Sequence, residues 1–246
     1  EVKADGKSEV TIPVPDTEKV QMVVVTDENG NNTYITEIET NDNGVAVTTD
    51  GNATVSVMSG NKKEFVDVHH VDHWSEKSVD FVHILGLMNG TSENHFSPDV
   101  DLTRAMLVTV LYRAEGEPEI TNDKSFVDVE NGSYYEKAVA WAKANGIVNG
   151  TSATTFEPNV SITREQIAAI MHRYADFKGH DVSVGENTNI LSYDDVHHVS
   201  EYAIGAMQYA VGSGLIKGKT ESTLNPLDNA TRAEAAAILE RFIKAN

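Results

Sequence analysis

The chain has 246 residues, 40% of them hydrophobic, which is enough for a core in one large domain or two smaller ones. With 38 acidic against 19 basic residues the net charge is −19, which argues against nucleic acid and anionic membrane surfaces as partners. No apolar run approaches the length of about 18 residues that spans a bilayer, and the absence of cysteine excludes disulfides and thiolate sites. Because the sequence begins with Glu1 and shows no signal peptide, we expect a mature or excised piece of a longer protein.

The first stretch, 1–62, is predicted to be a small antiparallel β domain or the tail of a larger one. Short alternating or β-branched runs are separated by the turn pairs Asn29-Gly30, Asn43-Gly44 and Asp50-Gly51. About five strands are predicted, and that number is marginal for an independent unit. Their apolar segments are Val10–Val14, Val20–Val25, Thr33–Ile38, Val45–Val47 and Ala53–Val57.

The rest of the chain, from about residue 63, contains three copies of one sequence repeat. Three Thr-Arg pairs end in Arg104, Arg164 and Arg232, which are 60 and then 68 positions apart, and each pair follows a Phe/Leu-x-Pro turn. Each copy opens with an aromatic-x-Asp-Val segment, then has a helical stretch ending at a glycine, a second glycine, the turn and a second helix. Such a period indicates one helix-loop-helix unit repeated. We therefore predict an α+β multidomain chain with repeats at 63–120, 121–188 and 189–246.

The threonine before each arginine is predicted to cap the second helix of its copy. Thr163 with Gln166, and Thr231 with Glu234, complete a capping box, whereas Thr103 has Met106 at that position. An arginine in the first helical turn runs against the helix dipole. Either it forms an anion pocket with the free helix N–H groups, or it pairs with an acid of its own repeat, and the pattern leaves both readings open.

Together, the Phe-x-Asp-Val opening, the following aromatic, the Asn-Gly-Thr-Ser loop, Phe-x-Pro and Thr-Arg resemble the S-layer homology domain over about residues 65–244. The resemblance implies a pseudo-threefold arrangement of three helical repeats in a monomer, with grooves between neighbours. It implies an extracellular cell-surface protein anchored non-covalently to a secondary cell-wall polysaccharide, an anionic ligand that often carries ketal-pyruvate.

On this reading we predict a ligand site in each groove. Its members are the arginines Arg104, Arg164 and Arg232 for the sugar carboxylate, main-chain N–H groups around Gly90, Gly150 and Gly218, stacking aromatics Trp74, Tyr134 and Tyr202, and hydroxyl acceptors Asp67, Asp128 and Asp195. The aromatics could instead pack between helices, and the aspartates could instead form caps or turns. Because the Thr-Arg segments differ between copies, and Lys219-Thr220 replaces Thr-Ser in the third, the grooves are not expected to be equivalent.

Other functions have weaker patterns. The repeated carboxylates could suggest a glycosidase, but they are equivalent positions of different copies, so we predict no enzyme. A metal site is not predicted, because copy two lacks the histidines found at 69, 70, 73, 197 and 198, and we expect the His-His pairs 69–70 and 197–198 to lie in loops. A calcium site at the acidic loop 99–101 stays possible on the sequence, although no ligand spacing supports it. No cofactor is predicted. The alternative to a cell-wall anchor is a module for protein–protein contacts or for assembly of a surface lattice.

Overall fold

The computed structural model describes residues 2, 6–41, 43–60, 62–120, 126–185 and 188–245. Within these ranges the chain forms six β-strands followed by seven α-helices. The strands are β1 Lys7–Ile12, β2 Val20–Asp27, β3 Asn32–Ile35, β4 Glu39–Asn41, β5 Gly44–Asp50 and β6 Ala53–Ser59. The helices are α1 Val66–His69, α2 Glu76–Ile84, α3 Arg104–Ala114, α4 Glu136–Ala144, α5 Arg164–Phe177, α6 Ile204–Gly212 and α7 Arg232–Ala245. An α+β architecture is thus confirmed.

The strands make two antiparallel three-stranded sheets, in the orders β3-β2-β6 and β1-β5-β4. Valines from both sheets, with Ala53, form a small core of their own: Val23, Val25, Val45, Val47 and Ala53. The prediction of one strand over Thr33–Ile38 was wrong. The chain leaves β3, which pairs with β2, and crosses to the other sheet, where β4 pairs with β5.

The helices begin and end where the local chemistry predicted. The hydroxyl of Thr103 accepts from the N–H of Met106, and Thr163 and Gln166 form the reciprocal capping box. Thr231 and Glu234 do the same at 3.2 and 3.1 Å. The glycines that end the first helices, Gly86, Gly146 and Gly214, have φ of 70°, 71° and 73°, the left-handed C-cap conformation.

The Phe/Leu-x-Pro turns are each held by the aspartate that opens the same copy. The two carboxylate oxygens of Asp67 accept from the N–H groups of Phe96 and Ser97, at 2.9 and 2.7 Å. Asp128 and Asp195 bind the equivalent pairs of N–H groups. The middle residue of each turn has positive φ, 58° at Ser97, 59° at Glu157 and 51° at Asn225. Two charge-assisted hydrogen bonds offset the cost of that conformation.

Main-chain hydrogen bonds join the three copies in a closed cycle. Leu102 donates to the carbonyl of Ala230 at 2.8 Å, Ala230 donates to Ile162 at 2.9 Å, and Ile162 donates to Leu102 at 2.9 Å. Next to this cycle, the first N–H of each second helix donates to the turn of another copy: Arg104 to Val160, Arg164 to Asp228 and Arg232 to Val100. N–H groups that a helix cannot satisfy internally are thus paired between copies.

The β-sheets also contact the helices. Met22 of β2 is fully buried within the core that the helices share, and Tyr34 of β3 packs edge-on against Phe81 of α2 with ring centroids 5.4 Å apart. No helix among the described residues is both long enough and apolar enough to cross a lipid bilayer.

Candidate ligand grooves between the repeats

Two surface cavities are built from equivalent positions of the three copies. The first, here the Arg104 groove, has a volume of about 320 Å³. The second, here the Arg164 groove, has a volume of about 430 Å³. The Arg104 groove is lined by Arg104, Val148, Asn149, Gly150, Thr151, Gln166, Ala169, Ile170, Arg173 and Tyr202. The Arg164 groove is lined by Arg164, Ile216, Lys217, Gly218, Lys219, Glu234, Ala237, Ile238, Arg241 and Trp74.

Each groove takes its arginine from one copy, its glycine loop and second helix from the next, and its aromatic side chain from the remaining one. Gly150, Gln166 and Arg173 in the first groove correspond to Gly218, Glu234 and Arg241 in the second. In each of these two grooves the structure therefore brings together a predicted arginine, a predicted glycine and a predicted aromatic residue that are far apart in the sequence.

The third set is Arg232, Gly90 and Tyr134. Nη2 of Arg232 donates to the carbonyl of Asn89, next to Gly90, at 2.7 Å. Burial raises the pKa of Tyr134, and the charge of Arg232 is one of the smaller influences that oppose this shift. Arg232 thus contacts the loop at Gly90 of another copy, as Arg164 contacts the loop at Gly218.

The three helix-start arginines also link the copies. Their residues are only 5%, 5% and 6% exposed for Arg104, Arg164 and Arg232. Each Nε donates to a main-chain carbonyl of another copy, at 2.8, 2.8 and 2.9 Å, the acceptors being Phe156, Leu224 and Phe96. Burial lowers the pKa of all three. Arg164 does pair with an acid, but Glu234 belongs to the next copy and not to its own.

The three aromatics are exposed, and two of them, Trp74 and Tyr202, line the grooves. Trp74, Tyr134 and Tyr202 are 62%, 61% and 57% exposed, so packing between helices does not account for most of their surface. The hydroxyl of Tyr202 donates to Glu165 at 2.9 Å, and burial together with this hydrogen bond raises the pKa of Tyr202. Rings with an exposed face can stack on an apolar sugar face.

The groove glycines are required by the loop that they begin. A Cβ at Gly150 would lie 2.5 Å from Cε1 of Phe126 and 2.5 Å from the carbonyl oxygen of Thr155. Gly90 is equally confined, by Phe65 and His95, and Gly218 is confined by the carbonyl of Thr220. The glycines thus let the loop pack tightly while exposing main chain in the grooves.

Sequence reasoning missed Arg173 and Arg241. Both lie nine positions after the helix-start arginine of their copy, and Arg113 occupies the same position in copy one. That recurring spacing could have identified them. Nη1 of Arg241 donates to the carbonyl of Leu215 and Nη1 of Arg113 donates to Leu87.

The histidines of copy one lie outside the grooves. His69 ends helix α1, which corrects its assignment to a loop, and its Nε2 lies 2.9 Å from Asp80. His69, Glu76 and Asp80 form the cluster of potential metal ligands that the described residues contain. Lys62 also approaches Asp80 at 3.3 Å. An ion pair and a hydrogen bond thus account for this cluster.

Comparison with known proteins places the repeats in a family. The model of the S-layer homology domain matches residues 64–105, 125–168 and 192–236. The chain is 30% identical over 191 residues to an endoglucanase of Bacillus sp. (strain KSM-635), which is 78% of this chain and 20% of that protein. It is 27% identical over 195 residues to the surface-layer 125 kDa protein of Lysinibacillus sphaericus, 78% of this chain and 16% of that protein.

A cellulosome-anchoring protein of Acetivibrio thermocellus is 24% identical over 153 residues, 61% of this chain and 33% of that protein. The chain therefore spans a third or less of the length of these relatives. With three family matches on the three helical copies, the chain belongs to the S-layer homology domain family and contains three tandem repeats.

Proposed function

We propose that the three repeats form a non-catalytic anchoring module that attaches its parent protein to the cell surface by binding an anionic polysaccharide of the cell wall. The observation that carries this proposal is the composition of the grooves. Each collects a buried arginine, exposed main chain at a glycine loop and an exposed aromatic ring from three different copies. This combination matches a sugar that carries a carboxylate, for which ketal-pyruvate is the proposed group.

The proposed assembly is a monomer with internal pseudo-threefold symmetry. The cyclic hydrogen bonds between Leu102, Ala230 and Ile162 support it, because each copy donates to one neighbour and accepts from the other. Such a cycle leaves no copy with an unpaired end, so a second chain is not needed to complete it. The domain limits after residues 62, 120 and 188 are part of the same proposal.

The site residues divide into two roles in this proposal. Arg104, Arg164 and Arg232 hold neighbouring copies through Nε and bring positive charge to the ligand, although Nη groups of Arg164 and Arg232 also bind protein acceptors. Main chain at Gly90, Gly150 and Gly218 adds hydrogen bonds, and the aromatics stack on the sugar. For Asp67, Asp128 and Asp195 we now propose a role in the turn, because both carboxylate oxygens of each already accept from main chain.

Relatives bearing enzyme names do not make this chain an enzyme. The matched portion is 20% of the endoglucanase, whereas other relatives are named a surface-layer protein and a cellulosome-anchoring protein. A module shared by such different proteins fits attachment better than catalysis. We therefore propose a cell-wall or surface-layer location for the parent protein.

The exposed aromatics give the sharpest test. The triple variant Trp74→Ala, Tyr134→Ala, Tyr202→Ala should fold, because these side chains are largely exposed, and should lose cosedimentation with cell walls that carry pyruvylated polysaccharide. Val127, 80% exposed and away from the grooves, supplies the matched control Val127→Ala. Undiminished cosedimentation of the triple variant would contradict the proposal, as would equal cosedimentation with walls from which the polysaccharide has been extracted.

A further inference from the structure

Strand β6 has one open edge. On one side β6 pairs with β2 over its length, and on the other side, within the described part of the chain, only Val2 pairs with it, opposite Ala53. We propose that this edge is the docking site for an additional antiparallel β-strand, supplied by the segment of the parent protein that precedes Glu1. This strand would make the sheet β3-β2-β6 four-stranded, and it does not depend on the ligand proposed for the grooves.

The pair formed by Val2 and Ala53 sets the direction and register of the additional strand. The N–H of Val2 donates to the carbonyl of Ala53 at 2.7 Å, and the N–H of Ala53 donates to the carbonyl of Val2 at 3.0 Å. Two reciprocal bonds define a hydrogen-bonded pair of an antiparallel ladder. Residues before Val2 therefore follow β6 toward its C-terminal end. The residue immediately before Glu1 would lie opposite Val55, and the third residue before Glu1 opposite Val57.

The main-chain groups of β6 are placed to receive this strand. Ala53 directs its N–H and carbonyl to the open edge, and main-chain groups alternate sides along a strand, so Val55 and Val57 direct theirs to the same edge. The partner of Ala53 in β2 is Asp27, which donates its own N–H to Asn31 in the turn to β3, and this agrees with the alternation. A row of such outward donors and acceptors is a template for another strand.

Strand β6 also lacks the features that keep edge strands from pairing. Its seven residues, Ala53–Ser59, include no charged residue and no proline. The side chains of Val55 and Val57 pack against the small valine core, so the strand is already part of a sandwich. Strand β1, at an edge of the other sheet, instead carries Lys7 and Glu9. Natural proteins normally cover an uncharged edge of this length or interrupt it.

A cavity leaves room for the strand beside the second half of β6. It has a volume of about 500 Å³ and lies between β6 and the end of helix α2. Its lining residues are Gln21, Val57, Met58, Ser59, His83 and Ile84. The register set by Val2 leads the additional strand past these residues of β6. A strand there would fill the cavity and contact helix α2 as well as the sheet.

The parent protein is a better source of this strand than a second copy of the chain. In the endoglucanase and the surface-layer protein, the matched part is 20% and 16% of the length, so related repeats are joined to long additional segments. A segment joined directly to Val2 has a high effective concentration at the edge, because it is covalently held there. A second copy of β6 would have to displace Val2 from Ala53 before it could pair along the whole strand.

Amide hydrogen exchange, followed by NMR, tests the proposal in the present chain and in the same chain extended by the residues that precede Glu1 in the parent protein, about ten of them. The N–H groups of Val55 and Val57 should exchange at least about a hundredfold more slowly in the extended chain, because only there are they bonded within the sheet. The N–H groups of Thr54 and Ser56 face β2 and are the control, protected in both chains. Unchanged exchange of Val55 and Val57, or a mature protein that begins at Glu1, overturns the proposal.

A disulfide tests the register, since the chain has no cysteine of its own. In the extended chain, Ser56→Cys should form a disulfide with a cysteine at the second residue before Glu1, which the register places directly opposite. A cysteine one position further upstream is the matched control and should not react, because it points to the other face of the sheet. Circular dichroism verifies that each variant is folded. Equal reaction of both cysteines, or a disulfide-linked dimer through Ser56→Cys in place of the internal bond, overturns the proposal.

Discussion

The main-chain N–H of Leu102, in the first copy, donates to the carbonyl of Ala230, in the third, at 2.8 Å. Each of these residues immediately precedes the Thr-Arg pair of its copy, and Ile162 completes the set in the second copy. The segment that leads into each second helix therefore makes contact with another copy before the helix begins. This explains why the arginines that follow lie at the junctions, buried, and beside the grooves.

Removing one of the helix-start arginines, which bind main chain of another copy, should destabilise the fold. Arg232→Ala leaves the carbonyls of Phe96 and Asn89 without their donors, and the guanidinium no longer packs over the Phe96 ring at 4.6 Å. We expect a loss of about 3 kcal/mol in the free energy of unfolding, measured by urea denaturation. Lys77→Ala is the control, because the Lys77 side chain is 86% exposed. An unfolding curve that coincides with that of the control would show that the arginine does not join the copies.

Gly150→Ala should lower the free energy of unfolding more than Gly132→Ala, because the two glycines share a backbone conformation but only Gly150 is closely surrounded. Gly150 has φ +79°, and three atoms lie within 2.7 Å of where a Cβ would be, whereas Gly132 has φ +78° and nothing within 4 Å of that point. Gly132→Ala should lose about 1 kcal/mol from backbone strain, and Gly150→Ala about 2 kcal/mol beyond that from steric overlap. Thermal unfolding of both variants measures the difference. Equal losses would mean that the loop has room to adapt.

The turn aspartate of the third copy, Asp195, should make stability depend on pH. Burial acts to raise the pKa of Asp195, but the N–H groups of Leu224 and Asn225 lower it overall below 3.8. A carboxyl whose pKa is depressed in the folded state stabilises the fold above its unfolded pKa and loses that effect as pH falls through the folded pKa. We therefore expect Asp195→Asn to be less stable than wild type at pH 7, by about 2 kcal/mol.

That gap should narrow as the pH falls below about 3.8 and close below the lower folded-state pKa, where the wild-type carboxyl is protonated in both states. Glu221→Gln, an exposed loss of one negative charge, is the matched control and should show no comparable closure. A stability difference that stays constant between pH 7 and pH 2.5 would contradict the assigned role of the aspartate.

The β-sheets and the helices should unfold together. Met22 is fully buried in the core that the helices share, so Met22→Ala should cost about 2–5 kcal/mol and lower the melting temperature of the whole chain. Val100→Ala, at a side chain 54% exposed, is the control. Separate transitions for the sheet and helix signals, with only the first affected by Met22→Ala, would show two independent units.

Local chemistry predicted the helices well, because caps and C-terminal glycines are properties of adjacent residues. Thr163 with Gln166 is readable as a helix start from the sequence alone. The interaction of Arg104 with the carbonyl of Phe156 is not, since it depends on how two copies pack. For the same reason the strand predicted over Thr33–Ile38 failed: the alternation is continuous, but the chain changes sheet within it. The sequence predicted the kinds of residue that line the grooves, but not which residues of different copies come together in one groove.

A crystal structure with a methyl hexoside that carries a 4,6-O-(1-carboxyethylidene) ketal tests the central claim, that the grooves bind a sugar carboxylate, most directly. The account predicts the sugar in the Arg104 groove, with its carboxylate in contact with Arg104 and Arg173 and its ring against Tyr202. A saturated complex with the sugar elsewhere on the surface, or with its carboxylate directed to solvent, would contradict it.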